Sequence, residues 1–319
     1  MSPDHPLQTN PRSTPPLPGA FHPVRVVAVT GGKGGVGKTN VSVNLAISLA
    51  EMGKRTLLMD ADLGLANVDV LLGLSPKFTL ADLVAGRCGL EDVLLEGPEG
   101  VLVVPASSGF RHMAELTPAE HVGLVNVFSV LQRALDVMVV DTAAGITDSV
   151  LTFCQAAQDT VVVVCDEPAS ITDAYALIKV LSRERGVDRI QVVANMVRDP
   201  NEGRVLYEKL SRVCEKFLAD VSLNYLDCVP QDDWLRRAVQ RQQAVVEAFP
   251  AAPSAMAFQH IARQVENGVD AGQEPRSFAV DRHRFEIASR LQPDRAELRA
   301  IGGVGEGLGL KRDAVPLTI

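Results

Sequence analysis

Residues 31–40 read Gly31-Gly32-Lys33-Gly34-Gly35-Val36-Gly37-Lys38-Thr39-Asn40 and lie between an apolar run and a helical pattern. The preceding run, residues 24–30, is typical of a buried strand, and the apolar spacing over residues 41–49 predicts a helix. Strand, glycine-rich turn and helix form the context in which backbone N–H groups cradle a phosphate group. This stretch therefore predicts a phosphate-binding loop.

Two nucleotide motifs overlap in this loop. Residues 32–39 match G-x-x-x-x-G-K-[ST], in which Lys38 would reach the β- and γ-phosphates and the Thr39 hydroxyl would hold Mg²⁺. Residues 32–37 also spell G-x-G-x-x-G, and Asp60 follows at about the distance of the dinucleotide fingerprint. A dinucleotide site has no use for Lys38 and Thr39, so the other motifs of the chain must decide between the two.

Composition limits the class of protein. The chain has 319 residues, of which 46% are hydrophobic and 4% aromatic, which suits a core of buried parallel strands and covering helices. A net charge of −8 argues against a general DNA-coating function. The five cysteines form no C-x-x-C pair, which favours free thiols in a reducing cytosol over a zinc or iron–sulfur site. Neither a signal peptide nor an apolar run long enough to span a membrane is evident.

Three regions follow from the pattern along the chain. Residues 1–23 carry seven prolines and are predicted to be a disordered tail. Residues 24–267 alternate strands and helices and are predicted to form one domain, an α/β fold with a doubly wound, mostly parallel sheet and helices on both faces. Residues 268–319 are predicted to be a flexible tail; residues 278–291 are its candidate amphipathic helix, whose short apolar face favours surface exposure over membrane contact.

The individual elements are predicted from apolar runs and helical spacing. After the first helix, the predicted strands are 55–60, 101–105, 137–141, 160–165, 190–195 and 225–230. The predicted helices are 67–73, 80–86, 118–135, 147–158, 170–183, 203–218, 232–240 and 254–265.

Polar side chains stand at the ends of three predicted strands, where ligands bind in such sheets. Asp60 and Asp62 follow one strand, and Asp141 ends another as in a Walker B motif, whose carboxylate orders the water shell of Mg²⁺. Asn195 ends a third strand and has the donor and acceptor that an adenine edge would pair with. A dehydrogenase would explain Asp60 but not Asp62 or the strand ending in Asp141, so nucleotide hydrolysis is favoured.

With Lys33 as a second lysine in the loop, residues 33–39 resemble the deviant Walker A motif of the MinD/ParA ATPases. Residues 62–74 and 165–179 make the chain similar to the FlhG/FleN regulators of flagellar number. The resemblance covers roughly residues 22–267 and implies that residues 24–267 are a P-loop ATPase domain, with slow, Mg²⁺-dependent ATP hydrolysis gated by dimerisation.

The resemblance also implies roles for individual residues. Lys33 would reach the partner's phosphates, Lys38 would bind the chain's own nucleotide, and Asp62 would orient the attacking water. The implied magnesium site consists of Thr39, Asp60 and Asp141. The implied nucleotide contacts are Gly32, Lys33, Gly34, Gly35, Val36, Gly37, Lys38, Thr39, Asn40, Gly145, Asn195, Pro230 and Gln231.

The partners implied by the resemblance are a second copy in the presence of ATP, a FleQ-type transcriptional activator and the FlhF GTPase. The family pattern also implies a cytoplasmic protein with peripheral contact at the inner membrane or cell pole, and no direct sequence-specific DNA binding. Residues 1–23 lack the Asp-Gln-Ala-type helix with which some members stimulate FlhF. The sequence of residues 1–23 therefore gives no support for direct stimulation of that GTPase.

Other classes of nucleotide-binding protein would require different features in the sequence. A ParA-type partitioning ATPase predicts a basic, DNA-binding face, which the net charge of −8 disfavours. MinD-type division-site placement predicts a convincing membrane helix. An iron–sulfur carrier predicts paired cysteines, and a pseudo-enzyme predicts loss of Lys33, Asp62 or Asp141, all of which are present.

Overall fold

The computed structural model describes residues 24–62, 67–106, 135–218 and 220–268, which contain an eight-stranded sheet. The strand order is β3-β4-β2-β5-β1-β6-β7-β8, and every neighbouring pair is parallel except β3 and β4. The strands are β1 Arg25–Gly31, β2 Thr56–Ala61, β3 Leu95–Glu96, β4 Leu102–Val104, β5 Val137–Ala144, β6 Asp159–Val164, β7 Arg189–Val197 and β8 Ser222–Pro230.

Helices connect these strands. Within the described ranges they are Lys38–Glu51, Val68–Leu71, Leu80–Val84, Leu90–Val93, Asp148–Ala156, Pro168–Arg185, Pro200–Phe217, Asp233–Gln240, Val245–Ala248 and Pro253–Asn267, with a 3₁₀ turn at Pro98–Gly100. None of the helices described is both long and apolar enough to cross a bilayer.

The sheet is buried on both faces, as the continuous apolar runs predict. In β1, Val26 and Ala28 belong to the core on one side, whereas Val27 and Val29 belong to the core on the other. Side chains alternate across a strand, so an unbroken apolar run fills both cores at once. The prediction of a doubly wound, mostly parallel sheet is confirmed.

The predicted elements that fall in the described ranges are present, with ends that differ by a few residues. The prediction missed the antiparallel edge strand Leu95–Glu96 and the short helices Leu90–Val93 and Val245–Ala248, which are too short to show a periodic pattern. The predicted helix 118–135 lies almost entirely outside the described residues. Residues 1–23 and 269–319 also lie outside them, so the predicted regions at both ends stay predictions.

The topology gathers the predicted site at one edge of the sheet. β1 lies between β5 and β6, and β2 lies on the other side of β5, so the carboxyl ends of these strands are adjacent. Asp60 on β2 is directly opposite Asp141 on β5 in the strand register. Ligands of doubly wound sheets bind at such carboxyl ends.

Candidate functional site

The glycine-rich loop connects β1 to the helix Lys38–Glu51 by a backbone path that requires glycine. Gly35 and Gly37 have φ values of 80° and 88°, in the left-handed region, and Gly37 caps the helix. Nothing lies within 4 Å of the position that a Cβ would occupy at Gly34 or Gly35. The loop therefore presents an open concave backbone at a helix N-terminus, which is a site for an anion.

Two other loop glycines allow close packing. A Cβ at Gly32 would lie 2.1 Å from the carbonyl carbon of Asp173, which belongs to the helix Pro168–Arg185. A Cβ at Gly37 would lie 2.3 Å from Nδ2 of Asn195. The loop is thus clamped against two neighbouring elements, which fixes its curvature.

Asn195 supports the loop directly. Its side chain is 3% exposed, and Nδ2 donates a 2.8 Å hydrogen bond to the Val36 carbonyl oxygen. This contact gives Asn195 a role in positioning the loop that the sequence did not suggest. Its role at an adenine edge stays a prediction, as do those of Pro230 and Gln231, which lie at the end of β8 and just beyond it, where Gln231 N–H donates to Val197.

Removing the Asn195 side chain should loosen the loop. We expect Asn195→Ala to lower the free energy of unfolding by about 1–2 kcal/mol, because the Val36 carbonyl loses its buried donor. Thermal unfolding measures the effect, and Asn224→Ala, on an exposed position of β8, is the control. An unchanged melting temperature would contradict the loop role, and a loss of preference for ATP over GTP would support the adenine role.

Lys38 is a buried lysine among carboxylates. It is 9% exposed, and desolvation lowers the pKa of its ammonium, whereas the charges of Asp141 and Asp62 oppose that shift. A buried cation of this kind is stabilised by any anion that enters the loop. Lys38 lies at the first turn of the helix, beside the glycine loop, and its contact with nucleotide phosphates stays a prediction.

Asp141 accepts hydrogen bonds from the first turns of the same helix. Ser42 Oγ donates to Asp141 Oδ1 over 2.8 Å, and the Thr39 hydroxyl also bonds this carboxylate. Burial nevertheless raises the pKa of Asp141 to about 6, although Thr39, Ser42 and Lys38 act in the opposite direction. The hydrogen bonds and the positive charge around Asp141 therefore do not fully offset the burial of its carboxylate.

Asp60 is the second buried carboxylate. Its Oδ1 accepts the Asp62 N–H over 3.0 Å, and Oδ2 accepts the Asn67 and Val68 N–H groups over 2.9 and 3.2 Å. Burial, followed by the charge of Asp141, raises the pKa of Asp60 to about 7 despite these three donors. Two adjacent carboxylates with raised pKa values favour a cation between or beside them.

This donor set fits Mg²⁺. Carboxylate and hydroxyl oxygens are hard ligands, and Mg²⁺ in nucleotide sites uses one or two protein oxygens together with phosphates and water. The described residues contain no cluster of three or more acidic, histidine or cysteine side chains that could hold a metal ion. Thr39, Asp141 and Asp60 would hold the ion directly or through water.

The buried carboxylates predict an unusual pH dependence. Both pKa values are raised, so between about pH 4 and pH 7 the folded chain binds more protons than the unfolded chain, and stability is lost as the pH rises through that range. A shift of two units corresponds to about 3 kcal/mol. In magnesium-free buffer we expect Asp141→Asn to remove part of this loss.

Melting temperatures at pH 5.5 and pH 8 would measure the difference. Asp233→Asn is the control, because that carboxylate is exposed. If the melting temperature changed equally between pH 5.5 and pH 8 for Asp141→Asn and for the parental chain, the prediction would be contradicted.

Lys33 forms an ion pair within its own chain. Its Nζ lies 2.5 Å from Glu167 Oε2, and both side chains are partly exposed. The hydrogen bond from Lys33 to Glu167 raises the pKa of the lysine. Contact between Lys33 and a partner's phosphates stays a prediction, and in a dimer it would require Lys33 to leave or share Glu167.

The other predicted residues also lie around the loop. Asn40 is in the first turn of the helix, where its side-chain Oδ1 is buried without a hydrogen-bond partner among the described residues. Gly145 follows β5 with φ of 94°, and its N–H donates to the Gly31 carbonyl over 3.0 Å. Asp62 lies just beyond β2, and the segment that follows it, residues 63–66, is outside the described ranges.

Two residues that shape the site were missed from the sequence. Ser42 lies one turn after Lys38 in an apolar helix, and that polar position was the available signal for its bond to Asp141. Glu167 follows β6 and caps the helix Pro168–Arg185. Its position after a strand end was a signal, but nothing in the sequence indicated a pairing with Lys33 over 134 residues.

Comparison with known proteins agrees with this geometry. The family model described as the CobQ/CobB/MinD/ParA nucleotide-binding domain matches residues 27–245. The chain is 59% identical to the antiactivator FleN of Pseudomonas aeruginosa over 78% of this chain and 89% of that protein. It is 37% identical to the flagellum site-determining protein YlxH of Helicobacter pylori, over 71% of this chain and 76% of that protein.

A solved structure of a related protein has the same fold as this chain. The septum site-determining protein MinD of Pyrococcus horikoshii, in complex with Mg-ADP, superposes with a TM-score of 0.64 at 25% identity. The match covers 77% of this chain and 98% of that one.

Proposed function

Because the chain belongs to the MinD/ParA family of nucleotide-binding domains, in its FlhG/FleN branch, we propose that it is an ATP-dependent dimerising switch that limits the number of flagella. It is a P-loop ATPase, as the family is. The observation that carries the ATP-dependent part of this proposal is the site itself: an open glycine cradle, a buried Lys38 and two buried carboxylates meet at one edge of the sheet.

The residues of the site divide the work of phosphoryl transfer. The loop backbone and Lys38 would bind the phosphates, and Thr39 and Asp141, with Asp60 beside them, would hold Mg²⁺, which neutralises charge on the phosphate oxygens. Asp62 would orient the attacking water. Because this chemistry depends on positioning and electrostatics, a site that lacks one cation is expected to be slow.

Lys33 would supply that missing cation from a second copy. Its exposure and its flexible side chain allow it to leave Glu167 and approach the partner's phosphates. Binding of ATP would then favour the dimer, and hydrolysis would release it. On this account Lys33→Ala retains ATP binding but loses hydrolysis, whereas Lys54→Ala, which removes a lysine paired with Glu266 at a distance from the loop, keeps both.

In this proposal the ATP-bound dimer restrains a FleQ-type activator and acts together with the FlhF GTPase. The support is the similarity to the antiactivator FleN and the flagellum site-determining protein YlxH. A cytoplasmic location with peripheral contact at the membrane or pole belongs to the same proposal. The predicted helix 278–291 lies outside the described residues and stays a prediction.

The partner can be tested with the Asp62→Ala variant. Because this variant is expected to bind ATP without hydrolysing it, any ATP hydrolysis in a mixture with purified FleQ-type activator comes from the activator. We expect Asp62→Ala to lower that rate several-fold, and Asp62→Ala combined with Lys38→Ala to have no effect. An unchanged rate, together with ATP-dependent binding to liposomes or DNA, would instead favour a MinD- or ParA-type positioning function.

A further inference from the structure

The surface of the helix that follows β8 combines an exposed aromatic ring with arginines. The helix Asp233–Gln240 follows β8, and Asp232 caps it by accepting the Trp234 N–H. Trp234, the single tryptophan of the chain, is 43% exposed, and its ring centroid lies 4.8 Å from that of Phe249. Arg237 stacks on Trp234 and Arg241 on Phe249, at 4.8 and 5.1 Å from the ring centroids. We call these four residues the Trp–Arg face.

The two arginines of the Trp–Arg face differ in their ion pairing from Arg236, which lies on the helix Asp233–Gln240. Arg236 forms an ion pair with Asp233, whereas Arg237 and Arg241 form none within the part of the chain that the structure describes. Stacking on the rings holds the two guanidinium groups in place and leaves their N–H edges available to a carboxylate. Pre-oriented arginines beside an exposed tryptophan are typical of the energetic centre of a protein interface.

The chemistry of this face selects an acidic protein segment. The guanidinium groups match carboxylates, and the exposed ring of Trp234 matches an apolar side chain. Nucleic acid is disfavoured because the chain as a whole carries a net charge of −8, which repels a polyanion. Arg241 also lines a shallow cleft against residues 72–74, but Glu247 shares that cleft, so the segment is expected to lie on the Trp234 side.

A hydrogen bond connects this face to the segment that follows the metal-site carboxylate. Gln242, next to Arg241, has a left-handed backbone with φ of 55°, and its Nε2 donates to the Val70 carbonyl over 3.0 Å. Val70 belongs to the helix Val68–Leu71, whose N-terminus is held by Asp60 Oδ2. The position of a Cβ at Gly73 would be 3.3 Å from Gln242 Cβ, so the two segments are in close contact.

We propose that the Trp–Arg face is a docking site for an acidic segment of a partner protein, and that Gln242 couples this face to the segment after Asp60. The face shares no residue with the phosphate loop, and the proposal goes beyond the flagellar switch described above. Movement of residues 67–73 when nucleotide and metal bind would be passed through Gln242 to Arg241. The face would therefore hold its partner with different affinity in different nucleotide states.

Tryptophan fluorescence tests the docking site, because Trp234 is the only source of the signal. The probe is a synthetic glutamate-rich peptide with a few leucines and no tryptophan, and the control probe carries glutamine at every glutamate. We expect the acidic peptide alone to change the emission. The double variant Arg237→Glu with Arg241→Glu should weaken binding at least ten-fold, whereas Arg212→Glu, on the exposed side of another helix, should not.

Three results would overturn the docking site: no response to the acidic peptide, an equal response to both peptides, or equal binding by the charge-reversed variant. Loss of the ATP-dependent dimer in that variant would also overturn it, because the face would then be part of the contact between copies. Coupling is tested separately. We expect the affinity of the parental chain for the acidic peptide to differ several-fold between magnesium-ATP and nucleotide-free buffer. The Gln242→Ala variant should bind the peptide equally well in both buffers. If this variant kept the parental difference, the coupling would be excluded.

Discussion

Lys38→Ala should reduce ATP affinity and hydrolysis by about 100-fold or more, while the fold is retained. The lysine is the buried cation of the loop, and removing such a preorganised charge from a phosphate site has effects of this size. The loss is increased by Asp141 and Asp62, whose negative charges would no longer be offset and would repel the phosphates. Calorimetric titration with magnesium-ATP measures the change in affinity.

Lys54→Ala is the matched control for this experiment, because it removes a lysine that pairs with Glu266 rather than with the site. Circular dichroism establishes that Lys38→Ala is folded. If the folded Lys38→Ala variant bound magnesium-ATP like the parental chain, Lys38 would not be the phosphate ligand and the site would have been assigned wrongly.

Gly32→Ala should destabilise the chain by about 3 kcal/mol and abolish nucleotide binding. Its added methyl group would lie 2.1 Å from the carbonyl carbon of Asp173 and 2.6 Å from the nitrogen of Ala174. These are backbone atoms of the helix Pro168–Arg185, so the clash cannot be relieved by a rotamer change. Overpacking of this kind costs up to a few kcal/mol, and a displaced helix would carry the loop away from its phosphate-binding shape.

Gly34→Ala provides the control for stability. Nothing lies within 4 Å of its Cβ position, and its backbone is outside the left-handed region, so we expect a change of less than about 1 kcal/mol. Chemical unfolding of the two variants compares the same substitution two residues apart. If both variants were destabilised equally, the close packing of Gly32 on the helix Pro168–Arg185 would not be the reason why position 32 requires glycine.

The sequence was sufficient to predict the elements that repeat a pattern. The unbroken apolar runs of β1 and β5 predicted a sheet covered on both faces, and the glycine spacing predicted the loop and the position of Lys38. The strand-end residues Asp60 and Asp141 were predicted to lie together, and the strand register places them opposite each other. Local patterns and the rules of parallel sheets are enough for these features.

Contacts between distant elements could not be predicted in this way. The bond from Asn195 to Val36 and the ion pair of Lys33 with Glu167 join residues more than a hundred positions apart. Each depends on how closely two elements approach, which is set by packing rather than by periodicity. The antiparallel strand Leu95–Glu96 was missed for a related reason, since two residues are stabilised by the neighbouring strand β4 and not by their own propensity.

The central claim is that ATP, and not ADP, joins two copies through Lys33. Light scattering with size separation on the Asp62→Ala variant tests it most directly. We predict twice the monomer mass with magnesium-ATP, the monomer mass with magnesium-ADP, and a weakened dimer when Lys33→Ala is added. The same mass with both nucleotides, or a dimer unaffected by Lys33→Ala, would contradict the account.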